Sequence, residues 1–195
     1  NVSSIGSPIG KVKLRNVDDG THNAFVPFKQ YLNRDVKKAC KLAHAFEAKL
    51  IRGFSFYHPV GTDPREHVDQ VADQLKQIVA ACDSRQKTFG LEVEANLVGQ
   101  NADLLLEIHR RVNHPGLVLI FDGGNLVTQG YSTNEVVEQF RQMIPCLGWV
   151  HIKDYLHPGP VTRIEHVDEE SLSHYVPASL GQAGHRDILN ELAKS

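Results

Sequence analysis

The stretch Leu117-Val118-Leu119-Ile120-Phe121-Asp122-Gly123-Gly124-Asn125 decides the fold. It opens with five uninterrupted apolar residues, and no run in the chain is longer; a carboxylate, two glycines and an amide follow. A strand with one wet face alternates apolar and polar residues. A strand that is apolar at every position is covered on both faces, as in a parallel sheet flanked by helices. Four other β-type runs accompany it, at 2–7, 50–57, 90–96 and 147–154, and amphipathic helices separate them. One helix is expected over 32–49, with the stripe Leu32, Val36, Ala39, Ala43 and Phe46. In the next, Val68, Val71, Leu75, Ile78, Val79 and Cys82 recur at helical period. Its start, Asp63-Pro64-Arg65-Glu66, reads as an N-cap, a first-turn proline and a glutamate three residues after the cap. Shorter helices are expected at 102–112, 134–143 and 185–193. Strands separated by helices require right-handed crossovers and a parallel sheet.

Composition narrows the class. The chain has 195 residues, 41% of them apolar and 23% charged, enough for one globular domain with a full core. A net charge of −2 offers no footprint for nucleic acid or an anionic membrane. No apolar run approaches the roughly 20 residues of a membrane span. No basic stretch followed by an apolar core opens the sequence, so the expected location is the cytoplasm. The three cysteines, Cys40, Cys82 and Cys146, are odd in number and form no CxxC pair, which favours reduced thiols over a disulfide framework. Cys40 and Cys82 fall on apolar helix stripes and read as small buried hydrophobes.

Two parallel-sheet architectures compete. An open doubly wound sheet usually carries a glycine-rich phosphate turn after its first strand; neither GxGxxG nor GxxxxGK[ST] occurs here. A closed (β/α)8 TIM barrel gathers its functional residues at the carboxyl ends of several strands. That is the pattern seen. In Leu91-Glu92-Val93-Glu94-Ala95-Asn96, alternation puts Glu92, Glu94 and Asn96 on the face opposite Leu91, Val93 and Ala95. The next strand ends in Asp122, and the last reads Trp149-Val150-His151-Ile152-Lys153-Asp154. Glu94, Asp122 and His151 are therefore expected near the same ends of three successive strands. Ionised carboxylates inside a barrel are costly unless paired or bound to a cation. Two carboxylates and an imidazole suit a divalent ion such as Mn2+, Mg2+, Co2+ or Zn2+.

Ile51-Arg52-Gly53-Phe54-Ser55-Phe56, Glu92-Val93-Glu94-Ala95-Asn96, Phe121-Asp122-Gly123-Gly124-Asn125 and Val150-His151-Ile152-Lys153-Asp154 together resemble the sugar phosphate isomerase/epimerase family of xylose isomerase-like TIM barrels. The resemblance runs from Val2-Ser3-Ser4-Ile5-Gly6-Ser7-Pro8 to Gly181-Gln182-Ala183-Gly184-His185. It implies a metal held by Glu94, Asp122 and His151, with Glu92, deeper on the same face, as the alternative first ligand. It also implies a fourth carboxylate on a final strand that this chain does not show. Five strand–helix units are visible where the fold needs eight, so the expectation is a single barrel domain over 1–195 lacking its first strands and its last.

The implied reaction removes a proton from carbon next to a carbonyl in a sugar or sugar phosphate, interconverting isomers or epimers through an enediolate. Glu94 is the expected catalytic base. His58, Asn125, Lys153, Gln182 and His185 are the expected substrate contacts, with Gln182 and His185 on a turn that skirts the site. His44, His67 and His109 lie in expected helices and read as solvent-facing, while Asp154 reads as a local cap. Gly123-Gly124 reads as a turn requirement. The aperiodic stretch from Tyr155 to Leu180, with its run Asp168-Glu169-Glu170, reads as a lid over the strand ends. The sequence leaves the oligomeric state open, homo-oligomer included; barrels of this kind often pair. The alternatives are a dehydratase acting on a cyclic polyol such as an inosose with the same metal and carboxylates, and a non-catalytic sugar-binding relative. An apurinic-site endonuclease is disfavoured by the net charge and by Asn125, where that reading needs a histidine.

Overall fold

The computed structural model describes residues 2–160, 162–168 and 170–194, with the side chains of 171 and 172 left aside. Glu169, in the acidic run, and Ser195, beside the last helix, lie outside the described residues. Five parallel strands form one sheet in sequence order: β1 (Ser4–Ile9), β2 (Leu50–Gly53), β3 (Thr88–Glu92), β4 (Leu117–Asp122) and β5 (Leu147–His151). Between them run α1 (Phe28–Tyr31), α2 (Lys37–Ala45), α3 (Val68–Asp83), α4 (Ala102–Val112), α5 (Gly123–Val127) and α6 (Thr133–Met143). A two-stranded antiparallel ladder, β6 (Asp154–Tyr155) with β7 (Tyr175–Val176), and a last helix α7 (His185–Leu192) follow. This is the α/β architecture of a TIM barrel, represented by five of its strands.

Register sorts the two faces of the sheet, because residues paired across parallel strands point the same way. Arg52 pairs with Gly90, Glu92 with Ile120, Ile120 with Trp149, and Asp122 with His151. One face therefore carries Arg52, Glu92, Asp122 and His151. The other carries Ile51, Phe89, Leu91, Leu119 and Phe121, all fully buried under the helices. All of the apolar run 117–121 except half-buried Val118 is buried, as its composition requires.

Local signals place the helices. Asp63 accepts a hydrogen bond from the Arg65 amide and Pro64 opens a 3-10 turn that feeds α3. In α3, Val71, Leu75, Ile78, Val79 and Cys82 are completely buried. Asn101 caps α4, and Ser132 with Glu135 forms a capping box on α6. The expected helix at 32–49 is shorter: a π-helical turn, Leu32–Val36, leads into α2, which ends at Ala45, and Glu47 takes a φ of 56°. Phe46 consequently leaves the stripe and is 55% exposed.

Three strands also stop earlier than their patterns imply. β2 ends at Gly53 rather than near 57, and β3 at Glu92 rather than 96. After the Val93 amide bonds the Ile120 carbonyl at 3.2 Å, the chain turns away, with Asn96 at a φ of 64°. β5 ends at His151, and Asp154 joins the separate ladder instead. The alternation of Glu92, Glu94 and Asn96 is thus not carried by one strand, and this relocates the site.

Gly53, the last residue of β2, admits the Phe89 ring: a Cβ there would clash with its Cζ and lie 2.9 Å from the Ile9 carbonyl oxygen. Gly53→Ala is expected to cost about 1–3 kcal/mol by overpacking, read as a lower urea midpoint at unchanged m-value. An unchanged midpoint would show that the strand yields freely.

Candidate metal centre

β3, β4 and β5 deliver Glu92, Asp122 and His151 to one place. Asp122 and His151 are register partners, and Glu92 lies diagonal to Asp122 because it pairs with Ile120, two residues earlier on the same face. One ligating atom from each of the three lies within 4.8 Å of the other two, and among the described residues this is the only group of its kind. Glu92 and Asp122 are 2% and 1% exposed. His151 Nδ1 stands 2.9 Å from Glu92 Oε1 and 3.7 Å from Asp122 Oδ2.

Cations surround both carboxylates. Arg52 Nη1 donates to Glu92 Oε2 at 2.8 Å, and Lys153 Nζ lies 3.2 Å from Asp122 Oδ2. Burial works against the charge on Glu92, but His151 and Arg52 outweigh it and hold the carboxyl at about 2. Asp122 and Glu92 in turn raise the imidazole of His151 to about 9 against the cost of burial. Burial also disfavours the Lys153 ammonium, yet Asp122, Tyr175 and Glu94 more than compensate, and its pKa rises.

Asp122 has a second task. Its Oδ1 accepts the Asn125 amide at 3.1 Å and so caps the short buried helix α5. The two glycines after it adopt helical rather than turn conformations, neither with positive φ. Their requirement is close approach: a Cβ on Gly124 would lie 2.8 Å from the Lys153 carbonyl oxygen. The segment carrying Lys153 can then lie against α5. Asn125 Nδ2 donates to the Val93 carbonyl at 3.0 Å and its Oδ1 accepts from Lys153.

Glu94, expected in the ligand set, stands apart from the group. It lies beyond the end of β3 and is ion-paired with Lys11 at 2.7 Å, and burial raises its pKa despite Lys11. The residue that meets Asp122 and His151 is Glu92, the alternative on the same face. Of the expected substrate contacts, Asn125 and Lys153 flank the group. Gln182 accepts the His157 amide at 2.9 Å, and buried His185 stands 3.1 Å from the Lys153 carbonyl oxygen, so both brace backbone behind the site. Asp154 accepts the Ala183 and Tyr155 amides, the local role expected of it. His58 lines a cavity of about 710 Å3 with Asp19, Thr62, Asn96 and His166, and no member of the Glu92 group borders it. His67 is buried rather than solvent-facing, held 2.8 Å from Thr62 Oγ1.

Sequence reasoning missed Tyr175. The stretch after Tyr155 returns to the site as β7, where the Tyr175 hydroxyl lies 3.3 Å from Asn125 Oδ1 and the Lys153 ammonium sits 4.7 Å above its ring. Only an aromatic within an aperiodic stretch could have hinted at it. The same excursion is tied down by Asn96, whose side chain exchanges hydrogen bonds of 2.7 and 2.9 Å with the Val167 backbone.

Fold and site define a parallel (β/α)-barrel protein whose charged groups converge at the carboxyl ends of its strands. Residues 23–195 match the model of the xylose isomerase-like TIM barrel family, and the chain belongs to that family. Among solved structures it is similar to the probable 3-DHS dehydratase AsbF of Bacillus anthracis, with 16% identity, a TM-score of 0.73, and coverage of 100% of this chain and 67% of that one. A D-tagatose 3-epimerase-like protein gives 16% identity and a TM-score of 0.65, covering 98% of this chain and 66% of that one. A xylose isomerase-like TIM barrel protein from Mycobacterium smegmatis, solved in complex with magnesium, gives 16% identity and a TM-score of 0.63, covering 85% and 57%. The chain thus spans about two thirds or less of the length of these relatives. No curated protein matches the sequence. Among the described residues, no helix is long and apolar enough to cross a membrane.

The paired shifts set a pH signature for the metal-free protein. The Glu92 contribution is complete above its ordinary value of 4.5 and is lost as pH falls toward 2. The His151 contribution is complete below its ordinary value of 6.5 and is lost as pH rises through about 9. Thermal unfolding should therefore show a plateau between those ordinary values, and His151→Gln should flatten the alkaline decline. An alkaline limb identical in the variant and the parent would show that the pair does not form.

Proposed function

We propose that the chain carries the metal-binding half of a sugar isomerase or epimerase site that acts by removing a proton next to a carbonyl. The observation that carries this reading is the convergence of Glu92, Asp122 and His151 on adjacent strand ends. Two carboxylates and one imidazole form a donor set for Mn2+, Mg2+, Co2+ or Zn2+, and three protein ligands leave positions open for substrate oxygens. A relative solved with magnesium supports a divalent ion at such a site. When bound, the ion would supply Lewis-acid stabilisation of negative charge developing on the substrate's oxygen.

The chain's own residues divide the remaining work. Glu92 and Asp122 hold the cation's charge, and Arg52 fixes Glu92 in its rotamer from the neighbouring strand. Glu94, free of the ligand group, is the proton acceptor. Its burial raises the carboxyl above the ordinary glutamate value, which strengthens it as a base. Lys11, 2.7 Å away, opposes that shift and favours the carboxylate form. Lys153, held between Asp122, Asn125 and the Tyr175 ring, presents an ammonium that can donate to a substrate oxygen. A sugar or sugar phosphate is the substrate class and the location is cytoplasmic; the epimerase-like relative supports the sugar.

The similarity to a probable dehydratase favours a second reading on the same residues. Elimination of water from a polyol carbonyl compound starts with the same proton removal and differs only in the bond that breaks next.

Two variants separate the roles. Glu92→Gln should abolish Mn2+ binding by the isolated protein, measured by calorimetry. Glu94→Gln should retain the metal yet lower ketose-dependent exchange of substrate hydrogen with deuterated solvent by about 10²–10⁴-fold. Loss of water without exchange back into substrate would select the dehydratase. Sugar binding with no exchange would mark a non-catalytic relative, and Mn2+ binding unaffected by Glu92→Gln would refute the centre.

A further inference from the structure

We propose that Cys40 and Cys82 form an intramolecular oxidation site, closed to a disulfide by a peroxide. The two residues are 42 positions apart, on α2 and α3, and their Sγ atoms stand 3.8 Å from each other. Neither side chain reaches solvent. They meet because both lie on the stripes that bury their helices: Val36, Ala39 and Ala43 beside Cys40, and Leu75, Ile78 and Val79 beside Cys82. Forming a bond of about 2.0 Å asks the sulfurs to close by roughly 1.8 Å. The third thiol, Cys146, is half-buried just before β5, at the opposite edge of the sheet.

The environment makes the two sulfurs unequal. Contact with the Cys82 sulfur, in which either thiol can donate, lowers Cys40 against the cost of its burial, helped by the positive charge of Arg85 and Lys87, to about 7. Its hydrogen bond to Cys40 and its burial raise Cys82. Cys40 is therefore the attacking sulfur. Its thiolate attacks one peroxide oxygen: an S–O bond forms, the O–O bond breaks, and the departing oxygen leaves as water with the thiol proton. The Cys82 sulfur then attacks the sulfenic sulfur, an S–S bond forms, the S–O bond breaks, and the second water leaves with the other thiol proton. Two electrons pass from the thiols to the peroxide. Access comes through local opening of α2, which begins on a π-helical turn and ends beside exposed Leu42 and Phe46.

The test treats the folded full chain with hydrogen peroxide, blocks free thiols with N-ethylmaleimide under denaturing conditions, and maps a non-reduced digest by mass spectrometry. The expected product is a peptide pair joining Cys40 to Cys82, two hydrogen atoms lighter than its parts and released by dithiothreitol. The oxidised protein should also melt about 5–15 °C higher, reversibly, as expected for closing a loop of this length in a domain of this size. Cys40→Ser and Cys82→Ser should each abolish both effects. Should either buried substitution prevent folding, the peptide map of the unsubstituted chain decides by itself. Alkylation of both Cys40 and Cys82 after peroxide, sulfinic acid on either without a cross-link, or a disulfide confined to Cys146 of two chains would each overturn the proposal.

Discussion

Two carboxylates buried side by side at the mouth of a sheet constrain everything built around them. Glu92 and Asp122 project from neighbouring strands into space from which water is largely excluded. Left to each other, they would repel and one would take up a proton. Instead three cations meet them, each from a different segment: Arg52 from β2, His151 from β5 and Lys153 from the segment just after it. The pairing explains why the polar face of an otherwise apolar sheet is stable, and why its side chains are held in place from several directions. It also explains the chemistry available there. A metal ion entering the group would take over charge compensation from the His151 proton, so binding of metal and loss of that proton are linked.

Support for the group extends through backbone as much as side chains. Asp122 caps α5, Gly124 lets the Lys153 segment lie against that helix, and Asp154 and His185 brace the same segment from behind. Tyr175 arrives from a distant part of the chain to lie under the Lys153 ammonium. Each contact restricts a rotamer or strand end, which is how a site on loop-rich ground attains the precision expected of strands. The separation of Glu94 from Glu92 follows from the same construction. Once the strand ends at Glu92, the next acidic residue is carried toward Lys11 and is free for a different task.

The same layering brings together groups with no part in the metal centre. Helices that bury one stripe against a sheet also bury their edges against one another, and two thiols far apart in sequence come into contact that way.

Much of this was legible in the residues themselves. Alternating apolar periods, the uniformly apolar 117–121 and the cap at Asp63-Pro64 determined a parallel α/β sheet, because burial and capping are local demands that a segment states alone. Asp122 and His151 could be placed at strand ends for the same reason. What the residues could not state was where each strand stops. Period-2 alternation continues on paper through Asn96, whereas the backbone leaves the ladder after Glu92, and only hydrogen bonding to β4 decides that. That choice exchanged Glu94 for Glu92 in the group. Nor could sequence bring in Tyr175, or set Cys40 against Cys82, since contacts between distant segments depend on packing and register, properties of the assembled sheet and not of any one stretch.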